Sequence, residues 1–465
     1  MSQPNRAKDK ESVMLLTNPT PAVPERPDSL PERRRADVGD GHPAGNLPRL
    51  PRTVEETGLD FLFITNLLLK TLFLSGKLSL ADLGSHSCLS RTVLDTALTF
   101  LRSERQVEIA RRGSSDGDVE YQLTGEGRQR VVEGLQRCQY AGPAPVTLAD
   151  YTRIVEAHSI GHTRVVRAEV HQAFADVIVP PDLLDQFGAA MNSGRAMFVY
   201  GPAGSGKTYL AERLCRLLGG AVPVPHAVLV DGEVIQVLDP LVHKAMPAPQ
   251  RPGGLIDRRE MQDRRWQLCQ RPVVLTGGEL NLPMLDLHFD ENSRFYQAPP
   301  HFKANNGIFI VDDLGRQLVA PRDLMNRWIV PMDRRCDYLA LHTGYKFRVP
   351  FDVVVVFSTN LKPGDLADEA FLRRLGYKIH IGPVSEADYR RLCEKYCTEL
   401  KIIFKEETFE YLLRELHGKE SRPLLACYPR DLISQVNDLA IYTGADRILT
   451  KSAIRQAWES YFVIE

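Results

Sequence analysis

Cysteine is scarce and scattered: eight residues in a chain of 465 are too few and too dispersed for a disulfide scaffold or a zinc ribbon, and read as reduced core thiols. The chain also lacks an excess of either charge. Its 58 basic and 59 acidic residues leave a net charge of -1, which excludes a histone-like or polyanion-coating protein and confines any nucleic-acid contact to a local patch. Long apolar runs are missing too. The nearest, Phe61 to Gly76, is shorter than the roughly 20 residues a membrane span needs and contains Asn66 and Lys70, so a core helix is expected and no membrane insertion. The start, MSQPNRAKDKESV, has no apolar stretch of the secretory kind, and a cytoplasmic location is the expectation.

The chain length predicts about three domains. Residues 1–55 are rich in proline and charge, with nine of the 31 prolines before residue 52, and predict a disordered tail. In 56–140, Leu89, Val93, Leu94, Ala97, Leu98 and Leu101 recur at helical spacing. Val107 to Ala110, a glycine turn at 113–117 and the strand Val119 to Leu123 follow. This order resembles a winged helix. The resemblance implies DNA contact through Arg91, Arg102, Arg105, Arg111 and Arg112. Acidic residues match them almost one for one, which favours a protein-docking or structural wing. Residues 141–164, opening with Ala141-Gly-Pro-Ala-Pro145, read as a linker.

Ala196 to Tyr200 is an apolar strand that runs into GPAGSGKT and then an amphipathic helix. This is the complete Walker A pattern in its strand, loop, helix context. Gly201, Pro202, Ala203, Gly204, Ser205 and Gly206 are expected to turn backbone N–H groups toward phosphate oxygens at a helix N-terminus. Lys207 is expected to neutralise the β and γ phosphates of ATP, and Thr208 to ligate Mg2+ through its hydroxyl. A second buried strand, GIFIVDDL, carries Asp312 and Asp313 at its carboxyl end, Asp312 toward the metal and Asp313 toward the attacking water. A third, FDVVVVFSTN, delivers Asn360.

Taken in order, these motifs resemble the AAA+ ATPases across about 165–465, with Walker A at 201–208, Walker B at 308–313 and a sensor-1-like Asn360. The resemblance implies an α/β P-loop core at 165–382, a parallel sheet flanked by helices, and a C-terminal helical lid at 383–465. It implies an arginine finger at Arg374, with Arg373 as the alternative, and a sensor-2 arginine at Arg430 in CYPRDLISQV. It also implies Mg-dependent ATP hydrolysis, a homo-oligomer in the ring form usual for the family, and a protein substrate remodelled in chaperone-like fashion. Asp313 stands where the family usually has glutamate, which puts the hydrolysis rate in question.

The 105 residues separating Lys207 from Asp312 exceed a minimal crossover, so an insert is expected at about 225–302. KANNGIFIVDDL is similar to the glycine-marked Walker B of the MoxR-like and magnesium-chelatase branches and of enhancer-binding activators, although the activators' GAFTGA loop is absent. The whole chain is similar to winged-helix AAA+ proteins associated with pilus assembly. Phe295 and Tyr296 stand near the tip of an expected hairpin, as substrate grippers or as buried insert core. Arg258, Arg259, Arg264 and Arg265, interleaved with Asp257, Glu260 and Asp263, are expected on a salt-bridged helix face. Two alternatives stay open: a winged-helix DNA regulator gated by ATP, and an ATP-binding scaffold that does not hydrolyse.

Overall fold

The computed structural model describes residues 47–112, 119–247, 262–366 and 369–462. They fall within one compact unit, Pro43–Glu465. The tail expected to be disordered over 1–55 is ordered where it is described, at 47–55: the Pro48 carbonyl accepts from the Asp263 N–H at 2.8 Å and helix Val54–Thr57 begins at a Thr53 cap. Residues 1–46, the 113–117 turn, Arg258 and Arg259 lie outside the described residues.

The N-terminal part packs helices Phe61–Ser75, Leu80–Ser87 and Arg91–Ser103 against a three-stranded antiparallel sheet, in the order Leu78–Ser79, Val119–Leu123, Val107–Arg112. Local chemistry sets the helix starts. Asp60 accepts from the Leu62 and Phe63 N–H groups, Ser79 and Asp82 form a capping box, and Thr124 caps helix Gly125–Arg137. The helical repeat seen in the sequence is the buried face: Val93, Leu94, Ala97, Leu98 and Leu101 are all within the core. Among the described residues no helix is long and apolar enough to cross a membrane.

The expected parallel sheet is present, in the order Val273–Thr276, Gly307–Val311, Val353–Thr359, Met197–Tyr200, Tyr377–His380. Its central strands read as unbroken apolar runs because helices and loops cover both faces, and Ile308, Phe309, Val356 and Phe357 are fully buried. The P-loop strand Met197–Tyr200 lies beside Val353–Thr359, which in turn lies beside Gly307–Val311. All three carboxyl ends therefore open at the same edge. Beyond it, helices Glu386–Glu399, Cys427–Thr443 and Lys451–Tyr461 pack around Tyr389, Leu432, Ile433 and Trp458.

Two further expectations are corrected, and one pair of alternatives is narrowed. The stretch 141–164 is more than a linker: Val146–Thr147 pairs in parallel with Ala227–Val230, and Leu148–Ala157 is a helix. The inserted segment joins it in a second five-stranded sheet of order His288–Asp290, Phe295–Gln297, Glu233–Gln236, Ala227–Val230, Val146–Thr147. Of the two readings offered for Phe295 and Tyr296, the buried insert core is the one the packing agrees with. The Tyr296 side chain is buried, with its hydroxyl on His342, and the Phe295 ring meets Tyr140 edge-on at 5.4 Å, closing the insert onto the N-terminal core. Nor do Asp263, Arg265 and Trp266 lie on a solvated helix. Trp266–Gln270 is a strand, and the buried Arg265 guanidinium bonds Asp263 at 2.8 Å, the Thr57 carbonyl at 3.0 Å and the Pro145 carbonyl at 3.3 Å. A charge buried this deeply persists because its donors are paired; it ties three chain segments together.

Candidate functional site

Gly201 begins the loop with φ 152°, and a Cβ there would lie 2.0 Å from the Ile381 carbonyl oxygen. Only glycine lets the loop leave its strand so close to the neighbouring backbone. Helix Lys207–Arg213 starts directly after Gly206, which has φ 93° and open space where a side chain would stand. The Ser205 hydroxyl is buried with no hydrogen-bond partner among the described residues. A buried orphan hydroxyl in a loop of this shape is a group waiting for an acceptor.

Lys207 is buried, and its ammonium donates to the Gly201 carbonyl at 3.1 Å, the Pro202 carbonyl at 2.9 Å and Asn360 Oδ1 at 2.7 Å. Burial pushes its pKa below the ordinary lysine value, and the nearby Asp312 and Asp313 carboxylates oppose that shift. Thr208 Oγ1 stands 2.9 Å from both Asp312 oxygens, so a hydroxyl and a carboxylate converge on one point. Asn360 Nδ2 donates to Asp313 Oδ1 at 3.1 Å. Asp313 itself takes a left-handed backbone, φ 47°, rare for a side chain of this kind and held by the Arg316 N–H on its carbonyl and the Leu314 N–H on Ser358.

These residues line a cavity of about 770 Å³ between the sheet edge and the helical lid. Arg430 reaches it from helix Cys427–Thr443 and also bonds Asp431 at 2.9 Å. Cys427 N–H donates to the Gly204 carbonyl at 3.1 Å, so the lid touches the glycine loop directly. Arg374 lies outside this cavity, with its Nε 3.1 Å from Asp333 Oδ2; Arg373 is exposed beside it. Thus Lys207, Thr208, Asp312, Asp313, Asn360 and Arg430 are brought together, and Arg374 is not.

Sequence reasoning missed part of the wall. Val177 to Pro180 supply one side from the loop before helix Pro181–Ser193, and Leu392 and Tyr396 supply another from the lid. The i, i+4 spacing of Leu392 and Tyr396 was a signal that this face meets something. Gln317 was missed as well: its amide donates to the Asp312 carbonyl at 3.0 Å and accepts from the Gly315 N–H at 2.9 Å, bracing the turn that carries both carboxylates. The cluster suits a polyphosphate and a hard divalent cation: an ammonium, backbone N–H groups, an orphan hydroxyl, and a hydroxyl paired with a carboxylate.

Residues 385–460 match a family described as a domain of unknown function, DUF8689. No curated protein matches the chain. Among solved structures, a point mutant of RuvB from Thermotoga maritima superposes with TM-score 0.35 at 11% identity, covering 65% of this chain and 72% of that one. The Thermotoga maritima RuvB Holliday junction branch migration motor gives TM-score 0.34 at 13% identity, over 64% and 70% of the two chains. NtrX from Brucella abortus gives 0.38 at 12% identity, over 72% and 63%. The order of the parallel sheet, the glycine loop and the three strand ends that meet at it give an α/β core of the P-loop kind with a helical part beyond its edge.

Proposed function

We propose that this chain binds ATP with Mg2+ at the cavity beneath the lid and hydrolyses it to drive the remodelling of a protein partner. One observation carries the reading: Thr208 with Asp312, and Lys207 with Asn360 and Asp313, converge within hydrogen-bond distance from three separate strand ends. The loop Gly201 to Thr208 would hold the phosphates, and Thr208 with Asp312 the magnesium. When bound, the metal and nucleotide supply a polarised γ-phosphoryl group. Lys207 exchanges its Gly201 and Pro202 carbonyl acceptors for phosphate oxygens and keeps its bond to Asn360. Asp313 orients a water, and Asn360, bonded to both Lys207 and Asp313, keeps the two at fixed separation.

Arg374 acts on a neighbouring copy, consistent with its place outside its own chain's cavity, and the N-terminal part serves as a winged-helix docking domain. Hydrolysis is tested by phosphate release from the full chain with and without Mg2+, beside an Asp313→Asn variant. The expected result is metal-dependent turnover in the parent and ATP retention without turnover in the variant. ATP binding with no turnover in an assembled oligomer would overturn hydrolysis and leave the scaffold reading.

A further inference from the structure

Lys70 sits in the middle of helix Phe61–Ser75 and is 8% exposed. Its ammonium has three donors, yet its one acceptor among the described residues is the Tyr140 carbonyl at the long distance of 3.5 Å. No carboxylate pairs with it among the described residues. A buried ammonium left in this condition is costly, and burial accordingly pushes its pKa down.

The lysine faces a cavity of about 190 Å³, open on one side and lined by helix Phe61–Ser75, helix Gly125–Arg137 and the hairpin turn at Gly232. Arg130 and Arg137 line it from two turns of one helix, and neither guanidinium has an ion-pair partner among the described residues. Glu133 is the single acidic lining residue, so the lining carries three positive charges against one negative. Gly134 faces the same space. A Cβ there would come 3.8 Å from Lys70 Cε, an ordinary contact, so sterics at the helix do not demand glycine. A mid-helix glycine costs roughly 1 kcal/mol against alanine. What it leaves is room beside the lysine.

We propose that this cavity is a binding site for a small oxyanion, a phosphate or carboxylate group, held by Lys70 from within and by Arg130 and Arg137 at the rim. The volume suits a group of that size: at ~30 Å³ per water it is the space of about six waters. Gly232 and Val234 belong to the insert, so an occupant would touch the N-terminal part and the insert at once. The site is separate from the nucleotide cavity, with which it shares no lining residue.

The test is calorimetric titration of the full chain after its P-loop is filled with a non-hydrolysable ATP analogue and Mg2+, so that phosphate cannot enter there. One arm uses inorganic phosphate, the other succinate. Saturable binding of either is expected, and whichever binds tighter identifies the source of the anion. Lys70→Met, which keeps the apolar stem, is expected to weaken it at least about tenfold, the scale of losing a charge-assisted hydrogen bond. Should Lys70→Met fail to fold, as judged by loss of ATP-analogue binding, the surface variant Arg130→Ala/Arg137→Ala decides in its place. Failure of both anions to bind the parent protein, or unchanged affinity in the deciding variant, would overturn the proposal.

Discussion

Lys207 Nζ stands 2.7 Å from Asn360 Oδ1, joining the residue that opens the P-loop helix to the end of a strand 153 positions later. The same amide donates to Asp313 at 3.1 Å. Asn360 therefore sets the distance between the cation proposed to meet phosphate and the carboxylate proposed to meet water.

Lys207→Ala keeps the glycine loop but removes the charge proposed to compensate the β and γ phosphates. Affinity for a fluorescent ATP analogue is expected to fall by about 100-fold or more. An unchanged dissociation constant would remove the phosphate site from this loop.

The two aspartates should separate by their magnesium dependence. Asp312→Asn weakens the partnership with Thr208 and is expected to reduce the metal-dependent part of ATP binding. Asp313→Asn keeps that part and loses turnover. Identical magnesium titrations for both variants would show that the carboxylates do not divide the work this way.

Arg374→Ala is expected to bind ATP and lose turnover, and mixing it with Lys207→Ala subunits to restore some activity. Hybrid interfaces can then pair an intact loop with an intact arginine. Native mass measurement first establishes that hybrids form. If they do, and turnover stays at the level of the separate variants, Arg374 does not act in trans.

Gly204 has φ 82°, and a Cβ there would stand 2.3 Å from Cys427 Sγ in the lid. Gly204→Ala should therefore cost roughly 1–3 kcal/mol through strain and the collision. Adding Cys427→Ala is expected to return part of the loss in thermal unfolding. No recovery in the double variant would place the whole cost in the backbone.

Acid stability should report on Asp337. Burial raises its pKa, but bonds to His301 at 2.8 Å and to Arg327 at 2.8 Å win, and hold it at about 2 against the ordinary 3.8. The carboxylate is favoured in the folded state, so its contribution is complete above 3.8 and is lost as pH falls through about 2. The gap corresponds to roughly 2 kcal/mol. In urea unfolding, Asp337→Asn is expected to show a shallower decline of stability between pH 4 and 2, within about that amount; equal slopes would refute the linkage.

Local rules made much of this protein legible. The glycine loop, the carboxylates after GIFIV and the amide after VVVVFST are written in consecutive residues, because strand, turn and helix N-terminus are properties of short segments. Helix starts at Asp60, Ser79, Thr124 and Ser385 are readable for the same reason, since a cap and its partner N–H lie within three residues. What tertiary structure alone decided are pairings between distant segments. Val146–Thr147 became a strand because Ala227–Val230 offered it an edge, and Arg265 became interior because Asp263, Thr57 and Pro145 met its donors there. Likewise Phe295 packed on Tyr140, Leu392 and Tyr396 came to line the same cavity as the glycine loop, and Lys70 was covered by helix Gly125–Arg137. A sequence states which side chains can be buried or bonded; the partner that makes burial favourable is supplied by residues tens to hundreds of positions away, and only the folded chain brings it into contact.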